Sequence, residues 1–294
     1  MRTSPSILFN NIFDPISRKE KIVLDYYKQI NELNFYESYE TRLIFDNTIR
    51  KEYANFIREN KLNSTIWLTS NLSNTNHNLS NINRNERKKA INFTKNLIDL
   101  CAESETNFIG LTSGKRIGNS SLSDQQDYFS DSLFVLLDYI KQYNGMKLLL
   151  EPLDVDADKK HTIGYTETVK KLADKVQKAK LNEYFTVCVD TAHIALNKED
   201  VLSSMEILSP YSQRVHLSNA VLNEEDELYG DKHLPMGEPG FLTIETGKKI
   251  INRAKNLFFS DETVYIAVEV RGEKNNDLFK LEEDVRDFLN NVIV

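Results

Sequence analysis

Four ionisable side chains stand at the ends of short apolar runs in the second half of the sequence. They are Glu151 in LLLEPL, Asp190 in VCVDTA, His216 in RVHLSN and Glu269 in IAVEV. A lone carboxylate in such surroundings is costly to bury unless a cation or a hydrogen-bond partner accompanies it. One such residue is most simply a hydrogen-bonded structural group, but four of them on consecutive apolar runs indicate a shared metal site.

The donor types indicate which metals would suit this site. Three carboxylates and one imidazole, with room for water or substrate oxygens, favour Mn²⁺, Mg²⁺ or Co²⁺ over a structural zinc site rich in Cys and His. We therefore expect one divalent cation, with Zn²⁺ as an alternative. The two cysteines, Cys101 and Cys188, lack CxxC spacing and are predicted to be buried and reduced.

The apolar runs alternate with amphipathic stretches along nearly the whole sequence. The predicted strands are residues 6–12, 35–43, 64–70, 107–113, 146–153, 185–192, 214–220 and 264–270. The predicted helices include residues 19–33, 86–104, 127–143, 166–179, 245–258 and 276–293. This alternation predicts the α/β class and a (β/α)8 TIM barrel, formed as a single domain by residues 1–294. An open doubly wound sheet is the alternative, but no glycine-rich dinucleotide turn follows Ile12.

A barrel places its active site at the C-terminal ends of its strands. The four ionisable residues above are predicted to lie there, on strands five to eight. The polar stretch 71–83 and the Gly/Ser-rich stretch 113–123 are predicted to be long loops on the same face.

Several motifs resemble those of the xylose-isomerase-like TIM barrels, the sugar phosphate isomerase/epimerase group related to the apurinic endonuclease family. The motifs are EPLD, DTAH, VHLSNA, YGDKHLPMGEPGF and AVEV. The resemblance implies that Glu151, Asp190, His216 and Glu269 bind the metal. It also implies that Glu151 and Glu269 exchange a proton with the substrate, and that His193 contacts substrate oxygens.

Asp231 and His233 match a pair that the endonucleases use for an additional zinc. Those enzymes also take histidine ligands from earlier strands, whereas this sequence has Thr112 at the end of strand four, and Thr69 and Ser70 at the end of strand three. A three-zinc site is therefore not expected. We interpret His233 as a substrate-binding or loop-ordering residue with Asp231 as its partner.

Other residues are weaker candidates for substrate contacts. Arg271, Lys115 and Lys160 could reach a phosphate or carboxylate, and Arg271 is included among the substrate-binding residues. His77 and His161 lie in polar loops and are interpreted as solvent-exposed. Trp67 and Phe9 could form an apolar wall for a sugar ring or belong to the core.

Composition limits the partners and the location. The formal net charge of −7 and the pI near 5.4 disfavour nucleic acid, whose binding depends on Lys and Arg. No run approaches the ~18 apolar residues of a membrane span, and the N-terminal stretch lacks a signal-peptide pattern. We expect a cytoplasmic protein with a small carbohydrate substrate and no membrane partner, and we leave self-association into a homo-oligomer open.

These observations predict a metal-dependent isomerase or epimerase acting on a ketose, sugar acid or sugar phosphate through an enediolate. One alternative is a dehydratase of an inosose-like or dehydroshikimate-like substrate, because the same enolate can expel a β-hydroxyl. A less favoured alternative is a metal-dependent phosphodiesterase or abasic-site endonuclease. A non-catalytic sugar-binding protein would leave the four clustered ligands unexplained.

Overall fold

The computed structural model of the chain describes residues 2–118, 120–257 and 263–293. Its strands are β1 (Arg2–Leu8), β2 (Ser38–Arg42), β3 (Asn63–Trp67), β4 (Phe108–Leu111), β5 (Lys147–Leu150), β6 (Phe185–Asp190), β7 (Ser212–Val221), β8 (Gly230–Leu234) and β9 (Thr263–Glu269). Its helices are α1 (Phe9–Ile12), α2 (Asp14–Ser17), α3 (Glu20–Asn31), α4 (Asn47–Glu59), α5 (Thr69–Asn74), α6 (Arg84–Ala102), α7 (Leu122–Ile140), α8 (Thr166–Lys178), α9 (Thr191–Leu196), α10 (Val201–Leu208), α11 (Ile244–Leu257) and α12 (Leu278–Ile293).

Eight parallel strands close into a barrel. The ring runs from β1 in order to β7, then through β9 back to β1. Strand β8 pairs antiparallel with the far end of β7 and stands outside the ring. The predicted (β/α)8 TIM barrel is confirmed.

The helices cover the barrel because each presents one apolar stripe to it. In α8 the buried side chains Val169, Leu172, Ala173 and Val176 recur three and four residues apart. Such stripes and the outward-facing strand residues form one large core between the helices and the barrel wall. The strands are buried on both faces, as in β6, which explains their near-continuous apolar sequences.

The barrel interior is partly apolar and partly charged. Its apolar members form a separate small cluster of Leu8, Trp67, Phe108, Leu149, Cys188 and Ala267. Side chains of a strand alternate between its two faces, so Arg214, His216 and Ser218 of β7 point to the same side. All three are buried, and this interior layer carries the polar groups that support the site.

Each predicted strand forms, with shifted ends. The prediction was wrong for residues 9–12, which form helix α1, because Phe9 turns away from the strand and stacks on Phe13 at a ring separation of 4.6 Å. Helices α4 and α10 and strand β8 were not predicted, and residues 71–74 of the predicted loop 71–83 belong to helix α5. Phe258 of the predicted helix 245–258 lies outside the described residues, as do Met1 and Val294, and the single domain over residues 1–294 stays a prediction.

The structure also bears on the cysteines and on membrane-spanning helices. Cys101 and Cys188 are both buried and free of disulfides, as predicted. No helix in the described ranges combines the length and the hydropathy that crossing a bilayer requires.

Candidate metal centre

The structure brings together the four residues that the sequence singled out. Glu151 follows β5, Asp190 ends β6, His216 lies in β7 and Glu269 ends β9. One donor atom of each lies within 4.8 Å of the others. Strand register produces this convergence, because Asp190 stands opposite His216 and Ser218 of β7 stands opposite Glu269.

His216 is the centre of the group. Its Nδ1 lies 2.9 Å from Glu151 Oε1, 3.8 Å from Glu269 Oε2 and 3.9 Å from Asp190 Oδ2. Burial raises the pKa of Asp190 to about 7, and the charges of Glu269 and Glu151 contribute to the rise. Three crowded carboxylates need positive charge between them, so the donor set fits one divalent cation.

Cys188 adds a sulfur atom beside the same group, since its Sγ also lies within 4.8 Å of donor atoms of Glu151 and His216. Burial raises the pKa of this thiol to about 12. The neutral thiol is therefore a poor ligand compared with the carboxylates, and the site keeps its oxygen-rich character.

Glu40 of β2 supports His216 from the opposite side and was not predicted. His216 Nε2 donates to Glu40 Oε2 at 3.0 Å, and Trp67 Nε1 donates to the same oxygen at 2.9 Å. Burial opposes ionisation of Glu40, but Arg214 and His216 lower its pKa to about 2. An ionised carboxylate only accepts, so Glu40 fixes the proton on Nε2. Nδ1 faces the Glu151 carboxylate, and it would bind a metal after giving up its own proton.

Arg214 balances the charge of Glu40 inside the barrel. The two side chains form an ion pair in which neither is more than 1% exposed. The guanidinium also donates to Thr65 Oγ1 at 2.8 Å and lies 5.5 and 5.2 Å from the ring centroids of Phe108 and Tyr265. A buried ion pair held on every side fixes the position of Glu40 and, through it, of His216.

Glu269 is also held by several donors. Its Oε1 accepts from Asn11 Nδ2 at 2.6 Å and from His233 Nε2 at 3.0 Å, while Oε2 accepts from Ser218 Oγ at 3.0 Å. Burial opposes ionisation, but His233 and then His216 lower the pKa of Glu269 well below its usual range. Glu269 is therefore an oriented carboxylate. Ser218 Oγ also contacts Asp190 Oδ2, so the one hydroxyl proton of Ser218 lies between the two carboxylates.

His193 lies in the first turn of helix α9, three residues after Asp190. The Asp190 carboxylate caps helix α9 by accepting from the His193 backbone N–H at 3.0 Å. The imidazole Nδ1 lies 3.2 Å from Asp154 Oδ2, and Nε2 lies 3.8 Å from Asp231 Oδ2. Burial opposes protonation, but Asp190 and Asp231 raise the pKa of His193 to about 10, so the ring is a cationic donor at neutral pH.

Asp231 and His233 stand on β8, the strand outside the ring. His233 Nε2 lies 3.4 Å from Asp231 Oδ2, so the two side chains are neighbours in the structure. Lys159 Nζ lies 3.0 Å from the same Asp231 oxygen, and this lysine was not predicted. The Lys159 ammonium therefore places a positive charge beside the Asp231 carboxylate.

These groups line a cavity of about 250 Å³ at the C-terminal end of the barrel. The predicted residues among its lining are Glu151, Glu269, His193, His216, Asp231, His233, Arg271 and Trp67. Asp190 is buried beneath it. Phe9 is absent from the lining and packs in the core, while Lys115 and Lys160 lie away from the cavity.

The interpretation of His161 as solvent-exposed was wrong, because its loop pairs with the loop at Lys115 and buries the side chain to 7% exposure. His77 is half-buried and stacks on Phe93 at a ring separation of 4.3 Å. Neither histidine lines the cavity of the metal centre. Both line a second cavity nearby.

Comparison with known proteins gives a family and several similar structures. The family model for the xylose isomerase-like TIM barrel matches residues 29–292, and no curated protein matches the chain. An L-ribulose 3-epimerase has a TM-score of 0.73 at 12% identity, covering 99% of this chain and 94% of that one. A D-psicose 3-epimerase in the presence of D-fructose has a TM-score of 0.72 at 13% identity, covering 99% of both chains. IolI with a bound zinc atom has a TM-score of 0.70 at 14% identity, covering 92% of both chains. At these identities the likeness establishes a shared fold.

Proposed function

The chain belongs to the xylose isomerase-like TIM barrel family, as its motifs predicted, and from this premise we propose that it is a divalent-metal-dependent isomerase or epimerase. Its substrate would be a ketose, sugar acid or sugar phosphate. The observation that carries the proposal is the convergence of Glu151, Asp190, His216 and Glu269 at a cavity of about 250 Å³.

The metal would be held by these four side chains, and the donor set favours Mn²⁺, Mg²⁺ or Co²⁺, with Zn²⁺ also able to bind. A bound cation would polarise a substrate carbonyl and a neighbouring hydroxyl, which acidifies the C–H between them. His216 would present Nδ1 because Glu40 holds the proton on Nε2.

Glu151 and Glu269 would carry the proton. Both line the cavity and stand on separate strands, so they can approach a substrate carbon from different sides. One carboxylate removes the proton to give an enediolate, and the other returns a proton to the opposite face or to the neighbouring carbon. The handedness of the substrate decides which of them acts first.

The remaining predicted residues would bind the substrate. His193 is a cationic donor beside the metal ligands, and Asp231 and His233 form a linked pair at the cavity wall. Arg271 lines the same cavity with an exposed side chain and would attract a carboxylate or phosphate. A cytoplasmic location and the absence of a nucleic-acid partner stay predictions.

The test is proton exchange followed by NMR in D₂O, with metal-loaded protein and a panel of ketoses, sugar acids and sugar phosphates. We expect deuterium at the carbon beside the carbonyl, together with an isomer or epimer. Loss of water from the substrate would support the dehydratase instead. Cleavage of abasic duplex DNA that Glu269→Gln abolishes would support the endonuclease and contradict the proposal.

A further inference from the structure

A second cavity lies beside the metal centre on the same face of the barrel. Its volume is about 410 Å³. Loops that follow β3, β4 and β5 surround it, and it has Thr69 and Ser73 in common with the cavity of the metal centre. The proton-transfer chemistry above uses none of its other residues.

Hydrogen bonds between the three loops fix the walls of this cavity. Ser80 Oγ in the β3 loop donates to Ser113 O in the β4 loop at 2.5 Å. Thr162 N in the β5 loop donates to Gly114 O at 3.2 Å. The space is therefore preformed, as binding sites for small molecules usually are.

Two buried polar atoms at this cavity lack hydrogen-bond partners among the residues that the structure describes. They are Nδ1 of His161 and Oγ1 of Thr69. Burial lowers the pKa of His161 to about 3, so its ring is neutral and has one donor and one acceptor nitrogen. Native proteins rarely leave such groups unpaired, and hydroxyl groups of a ligand could satisfy both residues after a small rotation.

The side chains that line the cavity are chemically complementary to the surface of a sugar. The lining combines neutral amide and hydroxyl groups with aliphatic side chains, among them Asn76, Asn81, Thr112, Leu72 and Ile117. Among the described residues that line the cavity, Lys115 is the one side chain with a fixed formal charge, and none is a carboxylate. Hydroxyls of a ring would bind the amides and hydroxyls, while its C–H faces would contact the aliphatic groups.

We propose that this cavity is a subsite for a second hydroxylated ring. The substrate is then a two-ring sugar whose reacting unit occupies the metal centre, with the linkage passing Thr69 and Ser73. This inference rests on the proposed function for the reacting unit, while the binding of the second ring stands on the geometry of the cavity.

The experiment compares one-ring ketoses with two-ring sugars that contain them. D-Fructose and D-tagatose serve as one-ring probes, and turanose, maltulose and isomaltulose serve as glucosyl-fructoses with different linkages. We expect kcat/KM of at least one glucosyl-fructose to exceed that of D-fructose at least tenfold. A protein that epimerises D-fructose but none of the glucosyl-fructoses more efficiently would overturn the inference and leave the proposed function intact.

Variants of residues that line the cavity test whether a preference for two-ring sugars depends on it. Nδ1 of His161 has no hydrogen-bond partner among the described residues, so we expect His161→Leu to keep the fold. It should lower the ratio of kcat/KM for the two-ring sugar to that for the one-ring sugar about threefold to tenfold, the usual effect of losing a neutral hydrogen bond. Thr112→Val is a second variant in the same wall, and Thr48→Val on the surface of α4 is a control. An unchanged ratio in both cavity variants would contradict the subsite.

Calorimetry separates the two proposals. If no sugar is turned over, tighter binding of a glucosyl-fructose than of D-fructose, weakened by His161→Leu, would still support the subsite while the proposed function fails. Equal or absent binding of both kinds of sugar by wild type would overturn the subsite.

Discussion

At the scale of single residues, the site depends on how each carboxylate is held. Glu269 accepts hydrogen bonds from Asn11, His233 and Ser218, whereas the Glu151 side chain contacts His216 Nδ1 at 2.9 Å. The two glutamates belong to the same cluster of donor atoms but are differently restrained. In the proposed mechanism both glutamates would be ligands and proton carriers, and Glu151, the freer one, would adjust more to the substrate.

The first prediction concerns these glutamates as proton carriers. Glu151→Gln and Glu269→Gln keep shape and a coordinating oxygen but lose the basic carboxylate. Solvent deuterium exchange at saturating metal should fall ~100 to 10,000-fold in each, the usual contribution of general acid–base catalysis. His193→Ala should mainly raise KM. Near wild-type exchange in either glutamine variant would show that this glutamate is only a ligand.

The second prediction concerns Glu40, which acts through His216. Glu40→Gln removes the charge opposite Arg214 and weakens the hold on His216 Nε2. Metal affinity should fall about 10- to 100-fold. The free energy of unfolding should fall by about 3–5 kcal/mol, because a buried guanidinium is left unpaired.

Thr65→Val is the matched control for Glu40, since it removes a hydrogen bond to Arg214 but leaves Glu40 and His216 in contact. It should destabilise the fold by about 1 kcal/mol and leave metal affinity unchanged. The role of Glu40 would be refuted if Thr65→Val weakened metal binding as much as Glu40→Gln, as titration with Mn²⁺ can show.

At the scale of elements, the sequence predicts the strands and the residues at their ends, but it does not predict contacts between residues that are far apart in the chain. The eight barrel strands are predicted by apolar runs, and the four clustered candidate ligands are the ionisable residues at the ends of four of these runs. Glu40 and His216 are 176 positions apart, so their contact depends on barrel closure. A signal for it existed, since Arg214 precedes His216 by two residues and must share its buried face, where it needs a negative partner.

Loop residues were the hardest to predict because their exposure depends on neighbouring loops. His161 sits in a Lys-rich segment, yet the adjoining β4 loop buries it. Strand β8 is short and half-buried, and its pairing with β7 determines where Asp231 and His233 point. Composition alone does not reveal such pairing.

The third prediction belongs to β8. His233 has a φ of +53°, a left-handed conformation that Asn adopts more readily than Ala. His233→Asn should therefore unfold at higher urea concentration than His233→Ala, with a difference of about 1 kcal/mol in the free energy of unfolding. Both variants lose the imidazole contact to Glu269, so equal stability of the two would show that backbone strain at this residue is unimportant.

At the scale of the whole molecule, the proposed metal connects the second half of the barrel. Its ligands come from β5, β6, β7 and β9, and β9 also pairs with β1 to close the ring. Burial raises the pKa of Asp190 to about 7, and the charges of Glu269 and Glu151 add to the rise, so ionising Asp190 costs stability when no cation is bound. A bound metal ion should remove this cost. It should stabilise the folded state only, because the ligands are far apart in the unfolded chain.

The fourth prediction is that divalent metal stabilises the barrel. A ligand at 100 times its Kd adds about 2.7 kcal/mol to the free energy of unfolding, which corresponds to a rise in Tm of roughly 4–5 °C for a chain of this size. Mn²⁺ added to chelator-treated protein should produce this rise, and EDTA should remove it. Asp190→Asn, buried beneath the cavity, should largely lose the response, whereas Thr65→Val should retain it from a lower starting Tm. An equal rise in wild type and Asp190→Asn would place the stabilising ion elsewhere and leave the four-residue centre without support.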